Sequence, residues 1–365
     1  MGRTSKLVGA LALLVAAVLV AQLVARDHRQ DDQSAVVHAR RPDGFPIGVA
    51  FADELRRLPG PALASTMKQV VELGANWIRI DLSWAVVAPT SAQDRRWADL
   101  DRVVRAARAR DLKVLGILTY TPAWARVPGC ENFTCPPRSA AEFASFAQDA
   151  ATRYRGAVDA FEVWNEPNLP RFWRHPDPAA YGALLAATVP AVRRGAPRAR
   201  VVLGGLAAMT SGREELAPPR FVAAACASGA CAGIDAVGYH PYTFPLTAAD
   251  STPEGTAWQR ITQRSSWGAG LSQSVGSILG GRGRTWITEY GAPTGGSTGV
   301  DEAQQADIVA SGIRAARSDA AVGAIFIYSW KDLGTGPDAE QHFGLLRADG
   351  SRKPSFSAFA DAAAP

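Results

Sequence analysis

Phe45-Pro46-Ile47-Gly48-Val49-Ala50-Phe51-Ala52-Asp53-Glu54-Leu55 is the stretch on which the fold turns. Its first half is a short apolar run bounded by Gly and Pro, the pattern of a buried strand. The residues just past this run separate two architectures. A doubly wound sheet normally leaves its first strand through a Gly-rich turn that lets backbone approach a phosphate. Here the exit reads Ala52-Asp53-Glu54-Leu55, with no glycine. A closed barrel of parallel strands needs no such turn.

The same alternation recurs to the end of the chain. Strand-like runs fall at 46–52, 76–82, 113–120, 159–166, 200–206, 235–241, 285–290 and 322–329. Helical patterns lie between and after them, near 62–74, 96–110, 140–155, 178–195, 214–228, 256–280, 302–317 and 354–363. Eight of each in strict order predict an α/β fold, a (β/α)8 TIM barrel occupying residues 44–365 as a single domain. Gly74, Gly156 and Gly195 follow the first, third and fourth helical patterns and are expected as C-terminal stops. No internal repeat is visible, and the limits of the helix within 251–283, rich in Ser, Gly and Trp, are the least defined.

The first 43 residues read differently. Arg3 and Lys6 precede a run from Leu7 to Ala25 with no charged residue. Its nineteen residues would span roughly 28 Å as a helix, close to the thickness of a bilayer's hydrocarbon core. The positive flank sets the N-terminus inside and the remainder outside. Residues 1–25 are therefore expected to be a signal-anchor or a cleaved signal peptide. The bulky Leu23 in the exit Leu23-Val24-Ala25 favours the uncleaved form. Residues 26–43, polar and of mixed charge, are expected to be a flexible tether. On either reading the barrel is exported, membrane-anchored or secreted.

Charge and cysteine usage narrow the partners. The chain has 365 residues and a formal charge of +5, but residues 1–42 hold six Lys/Arg against three acids, leaving about +2 for the rest. That is too little for a phosphate-binding face, so no nucleic-acid partner is expected. The four cysteines form two close pairs, Cys130/Cys135 and Cys226/Cys231. Export makes two loop disulfides the favoured reading. Zinc sites lack a histidine at ligand spacing, and buried free thiols are the remaining alternative. The five histidines show no paired metal-ligand spacing and no phosphate loop or dinucleotide fingerprint is present, so neither metal nor cofactor is expected.

In a barrel of this kind, chemistry collects at the C-terminal ends of the strands. Two strand ends carry a glutamate in a polar, aromatic setting: Phe161-Glu162-Val163-Trp164-Asn165-Glu166-Pro167-Asn168 and Thr285-Trp286-Ile287-Thr288-Glu289-Tyr290-Gly291. Period-two alternation would place Glu162, Trp164 and Glu166 on one face. Two carboxyls meeting across a barrel mouth suit glycoside hydrolysis, in which one protonates the departing oxygen and the other attacks the anomeric carbon.

These motifs resemble the clan of retaining barrel glycosidases, glycoside hydrolase clan A. Within it the chain is most similar to glycoside hydrolase family 39, especially its bacterial exopolysaccharide-hydrolase branch. The likeness runs from Ile78-Arg79-Ile80-Asp81-Leu82-Ser83-Trp84 to Phe343-Gly344-Leu345-Leu346. The resemblance implies Glu166 as general acid/base and Glu289 as nucleophile, with Asn165 binding the sugar hydroxyl beside the reacting carbon and His240 and Tyr242 near the nucleophile. Arg79 is the candidate cation that keeps Glu289 ionised, the alternative being an ion pair with Glu162. Trp330 is expected as an apolar platform under a sugar ring, or as core. Tyr120, Trp124, Trp84 and Trp173 are candidates for outer subsites or for packing, and His342 could reach the cleft from its loop. The implied activity is hydrolysis of O-glycosyl bonds in a poly- or oligosaccharide of the envelope or an exopolysaccharide. The alternatives are a transglycosylase using the same residues and a non-catalytic polysaccharide-binding barrel.

Overall fold

The computed structural model describes residues 44–51, 53–212, 214–264 and 284–364. The expected membrane segment and tether lie outside these residues, as does most of the helical pattern at 256–280. No described helix is long and apolar enough to cross a membrane.

Eight parallel strands close into a barrel: β1 (Ile47–Ala50), β2 (Trp77–Ser83), β3 (Lys113–Thr119), β4 (Ala160–Asn165), β5 (Arg200–Ala207), β6 (Ala236–His240), β7 (Arg284–Tyr290) and β8 (Val322–Tyr328). Each pairs with its neighbours in sequence, and β1 closes the ring by pairing with both β2 and β8. A two-residue hairpin, Ser251–Thr252 with Gly255–Thr256, stands apart in the β6–β7 connection.

Alternate residues face opposite sides of each strand, and the chain uses this to build two cores. Ile78, Val114, Phe161, Val201, Val237, Ile287 and Ile325 pack outward beneath the helices. Trp77, Leu115, Ala160, Val202, Ala236, Trp286, Ala324 and Phe326 fill the interior. Trp77 meets Trp286 and Phe326 edge to face, with ring centres 5.6 and 6.2 Å apart. Lys113 and Arg200, the first residues of β3 and β5, place their cations 5.7 and 5.6 Å from the Trp77 and Trp286 rings. The N-terminal end of the barrel is thus a packed floor.

Among the described residues, seven longer helices wrap the strands: α1 (Gly60–Glu72), α2 (Ala98–Arg108), α3 (Ala140–Arg153), α4 (Pro178–Gly195), α5 (Pro218–Cys226), α6 (Glu302–Ser318) and α7 (Pro354–Ala363). Ser139, Asp177 and Asp301 cap α3, α4 and α6 by accepting first-turn N–H bonds. Gly74 and Gly156 take positive φ, 83° and 76°, the backbone expected of a stop. Gly195 does not. It is the last residue of α4, and a Cβ there would stand 2.6 Å from the Ala151 Cβ, so close packing of α4 on α3 is its reason.

Both cysteine pairs are disulfides, Cys130–Cys135 and Cys226–Cys231, and no cysteine is free. The first closes the loop after β3, on the C-terminal face. The second ties the end of α5 to the approach to β6, at the opposite end. Paired cysteines fit an oxidising compartment.

Candidate active site

Two irregular strands shape the barrel mouth. In β7, Ile287 pairs with Ile325 and Tyr290 with Ile327, so β7 uses three residues where β8 uses two. The extra residue turns both Thr288 and Glu289 toward the barrel axis while Ile287 and Tyr290 remain in the outer core. In β4, Trp164 has φ 73° and Glu166, just beyond the strand, φ 43°. Non-glycine residues held there cost about 1–3 kcal/mol each and persist where the surroundings over-determine them. Here the Glu166 N–H donates to the Gly205 carbonyl at 2.8 Å.

That backbone corrects one expectation. Trp164 does not share a face with Glu162 and Glu166: its indole turns outward, donates to the Phe172 carbonyl at 2.8 Å, and packs on Trp173 and Phe143. Asn165 takes the inward position instead, and the positive φ at 164 is the physical cause of the broken alternation.

Arg79 organises the carboxylates. Its guanidinium donates to Glu162 at 2.7 Å, to Glu289 at 2.6 Å and to the Asn165 side-chain oxygen at 2.9 Å. The two readings of Arg79, partner of Glu289 or of Glu162, hold at once. Arg79 and Glu162 are 2% and 0% exposed, so the ion pair lies within the barrel. Tyr242 donates its hydroxyl to the other Glu289 oxygen at 2.7 Å. Burial tends to raise the Glu289 pKa, but the facing His240 and Arg79 and the hydrogen bonds from Tyr242 and Arg79 outweigh it, and the carboxyl is held below its ordinary value.

His240 stands between the two glutamates. Its Nδ1 lies 2.8 Å from Glu166 and 3.6 Å from Glu289, and its Nε2 is 3.1 Å from the Thr288 hydroxyl. Burial tends to lower the imidazole pKa, but Glu289 first and then Glu166 overcome it, so the ring holds its proton to higher pH than usual. The ring has room because of β5: a Cβ on Gly205 would sit 2.0 Å from His240 Nε2. One oxygen from each of Glu166 and Glu289 and a nitrogen of His240 fall within 4.8 Å of one another. This is the group of donors, among the described residues, that could converge on an ion. Glu289 already receives a full positive charge from Arg79, which would repel a dication at that point.

These groups open into a cleft of about 320 Å³ lined by Arg79, Asn165, Glu166, Tyr242, Glu289 and Tyr120 among others. Chemically, it offers one carboxylate kept charged, a second within reach, and an imidazole able to exchange a proton between them. Burial pushes the Tyr120 and Tyr242 hydroxyls well above their ordinary pKa, so both stay protonated as hydrogen-bond donors.

Several aromatic expectations require correction. Trp330 is no platform: it is 4% exposed, stands behind Phe51 with ring centres 5.7 Å apart, and packs on Phe356. Tyr328, two residues earlier, lines the cleft in its place and rests on Phe343. Trp124 donates to the Ala88 carbonyl at 2.8 Å and packs edge-on to the buried Trp84, away from the cleft lining. Trp173 is buried between Trp164 and Tyr181. His342 hydrogen-bonds the Gly336 carbonyl at 2.6 Å and pins its own loop.

Sequence reasoning missed other cleft residues. Asp81 could have been found by its period-two spacing from Arg79, and Phe51 by its place at the end of the first strand. Phe172, Phe244, Glu340 and Phe343 come from loops, where no periodicity marks a direction.

Comparison with known proteins gives this site a setting. Residues 54–330 match the family model of Cellulase (glycosyl hydrolase family 5). Among solved structures, a family 39 glycoside hydrolase from the gut symbiont Bacteroides cellulosilyticus WH2 is similar with a TM-score of 0.67 and 24% identity. That match covers 90% of this chain, which spans 64% of the other's length. A monomeric beta-xylosidase from Caulobacter crescentus CB15 has a TM-score of 0.65 at 20% identity, covering 87% of this chain and 67% of that one. GH5_18 from Streptomyces cattleya, solved in complex with GlcNAc, has a TM-score of 0.64 at 21% identity, covering 87% and 79%. At these identities the likeness is one of fold. The expected clan is therefore met from two sides, a family 5 sequence match and family 39 neighbours in fold. No curated protein matches the sequence.

Proposed function

We propose that this chain, which belongs to the cellulase family (glycosyl hydrolase family 5), cleaves O-glycosidic bonds with retention, through a glycosyl-enzyme intermediate. Residues 44–365 form the catalytic domain in this reading. Glu289 is the nucleophile and Glu166 the acid that protonates the leaving oxygen, then the base that activates water for the second step.

The observation that carries the reading is the spacing of the pair. Their facing oxygens lie within 4.8 Å of each other. Double displacement uses carboxyls about 5–5.5 Å apart, whereas inversion needs about 6.5–9.5 Å to admit a water. The surroundings support the division of labour. Arg79 and Tyr242 keep Glu289 charged and aimed, while the second oxygen of that carboxylate shares its approach with His240. Asn165, held by Arg79, is placed to bind the hydroxyl beside the reacting carbon, a contact that strengthens as positive charge develops on the sugar. Tyr120, Tyr328 and Phe51 supply apolar wall for the C–H faces of the ring.

The substrate in this reading is a polysaccharide outside the cytoplasm, an envelope polymer or exopolysaccharide. The two disulfides and the apolar run at 7–25 motivate export, with the barrel anchored or released. The test uses two variants on activated aryl glycosides. Glu289→Ala is expected to lose turnover and to regain part of it with azide, giving a glycosyl azide of inverted configuration. Glu166→Ala is expected to keep activity only on substrates with good leaving groups. Wild-type rates in both variants would overturn the assignment.

A further inference from the structure

We propose that Phe133 is an outer sugar-binding platform, which the Cys130–Cys135 disulfide holds at the rim of the cleft; the inference rests on the glycosidase reading above. Phe133 is 51% exposed, one of three large apolar side chains so placed among the described residues. Unlike Val71 and Leu333, it is joined to the cleft by an aromatic contact. Its ring meets Tyr120 edge to face, with centres 4.9 Å apart, and Tyr120 lines the cleft.

The loop that carries Phe133 is fixed from several sides. The disulfide closes residues 130–135. The Thr121 N–H donates to the Phe133 carbonyl at 3.1 Å, and Asn132 accepts from the Thr134 and Cys135 backbone at 3.2 and 3.0 Å. Arg126 donates to the Glu131 carbonyl, and Arg174, beyond β4, donates to the Gly129 carbonyl at 2.9 Å. An aromatic ring presented to solvent on so constrained a turn loses little freedom when a ligand lies on it.

Phe133 is exposed on the far side of its contact with Tyr120, so a sugar chain that left the cleft past Tyr120 would meet its ring. Its face suits the C–H-rich side of a pyranose, and the exposed Glu131 and Asn132 beside it provide polar atoms for ring hydroxyls. The occupant is therefore a sugar unit of an oligo- or polysaccharide, one or more positions away from the bond being cut. Cleavage within a chain follows more naturally from such a platform than removal of a terminal unit from a disaccharide.

The test compares wild type and Phe133→Ala on p-nitrophenyl glycosides and on β-1,4-linked gluco- and xylo-oligosaccharides of two to six units. Phe133→Ala is expected to lose about three- to tenfold in kcat/KM on chains of four or more units, mostly through KM. The aryl glycosides should be unaffected, and Phe133→Trp should restore the long-chain rates. Cys130→Ser/Cys135→Ser should show a smaller loss with the same dependence on chain length. An equal loss at every length, or none on the longest chains, overturns the platform while leaving the glycosidase reading intact. The glycosidase reading is tested separately, and wild-type rates in Glu289→Ala and Glu166→Ala would defeat it and the platform with it.

Discussion

At the N-terminal end of the barrel interior, Trp77, Trp286 and Phe326 meet ring to ring, Lys113 and Arg200 stand over the Trp77 and Trp286 rings, and the one slip in pairing lies at Gly323 of β8, beside Trp286. At the C-terminal end, on the same strands, the interior holds Arg79, Glu162, Asn165, His240, Thr288 and Glu289, each tied to another by a hydrogen bond. The floor is made by volume and the mouth by charge. Apolar side chains fill space and ask little of the backbone, so β2, β3 and β4 pair there without a slip. Converging charges ask for particular directions, and β4, β5 and β7 depart from regular geometry to supply them. A floor of this kind should answer to mutation through stability, and a mouth of this kind through stability and chemistry together.

The largest effect is expected at Arg79→Met. It leaves Glu162, 0% exposed, without its guanidinium partner, which costs about 3–5 kcal/mol in chemical denaturation. Glu289 loses the guanidinium that helps lower its pKa, so the acid limb of kcat/KM should move to higher pH, with the maximum falling about 10²–10³-fold. A stable variant with an unmoved acid limb would erase the contrast. Trp286→Ala comes next and probes the floor alone. It should lose about 3–5 kcal/mol through the cavity it leaves, with kcat/KM per folded molecule within about twofold of wild type. A large fall in activity at full stability would show the floor to be part of the chemistry.

The smallest effect sharpens the boundary between the two regions. Asp81 lies in the cleft, and burial pushes its carboxyl up to about 7, against the pull of Arg79. A carboxyl whose folded pKa exceeds its unfolded value stabilises the fold below the unfolded pKa and loses that contribution as pH rises through the folded one. Asp81→Asn should therefore match wild type near pH 3, gain on it progressively up to about pH 7, and hold a constant lead of a few degrees in Tm above that. A lead that shrinks with rising pH would contradict the burial of that charge.

How much of this was legible in sequence follows the same division. Alternation in a run such as Ile78–Leu82 locates both faces of its strand, and a continuous apolar run such as Val114–Leu118 marks a strand buried on both faces. The carboxylate pair stands out because each glutamate lies at the end of a strand, whereas Arg79 lies in the first half of β2 and stands out as a cation within an apolar alternation. What alternation could not supply was direction at the irregular positions. Trp164 was misplaced because its positive φ has no mark in Trp-Asn-Glu-Pro. For Trp330 the core alternative holds, because the strand ends at Tyr328 and Phe51 stands between the indole and the cleft. Loop residues such as Phe343 and Phe133 depend on how loops fold over the rim, which pair spacing and hydropathy do not encode. The disulfide at Cys130–Cys135 marked that loop without indicating which ring it presents.

Gly205 contributes no functional group, yet the imidazole of His240 occupies the space in which any other residue would carry its first carbon. One nucleotide separates a glycine codon from an alanine codon. At this position that step would leave both acids, the guanidinium and the tyrosine in the sequence while evicting the ring that stands between the acids. Inheritance of the proposed activity would therefore depend on a missing methyl group as well as on the residues that would be counted when two such chains are compared.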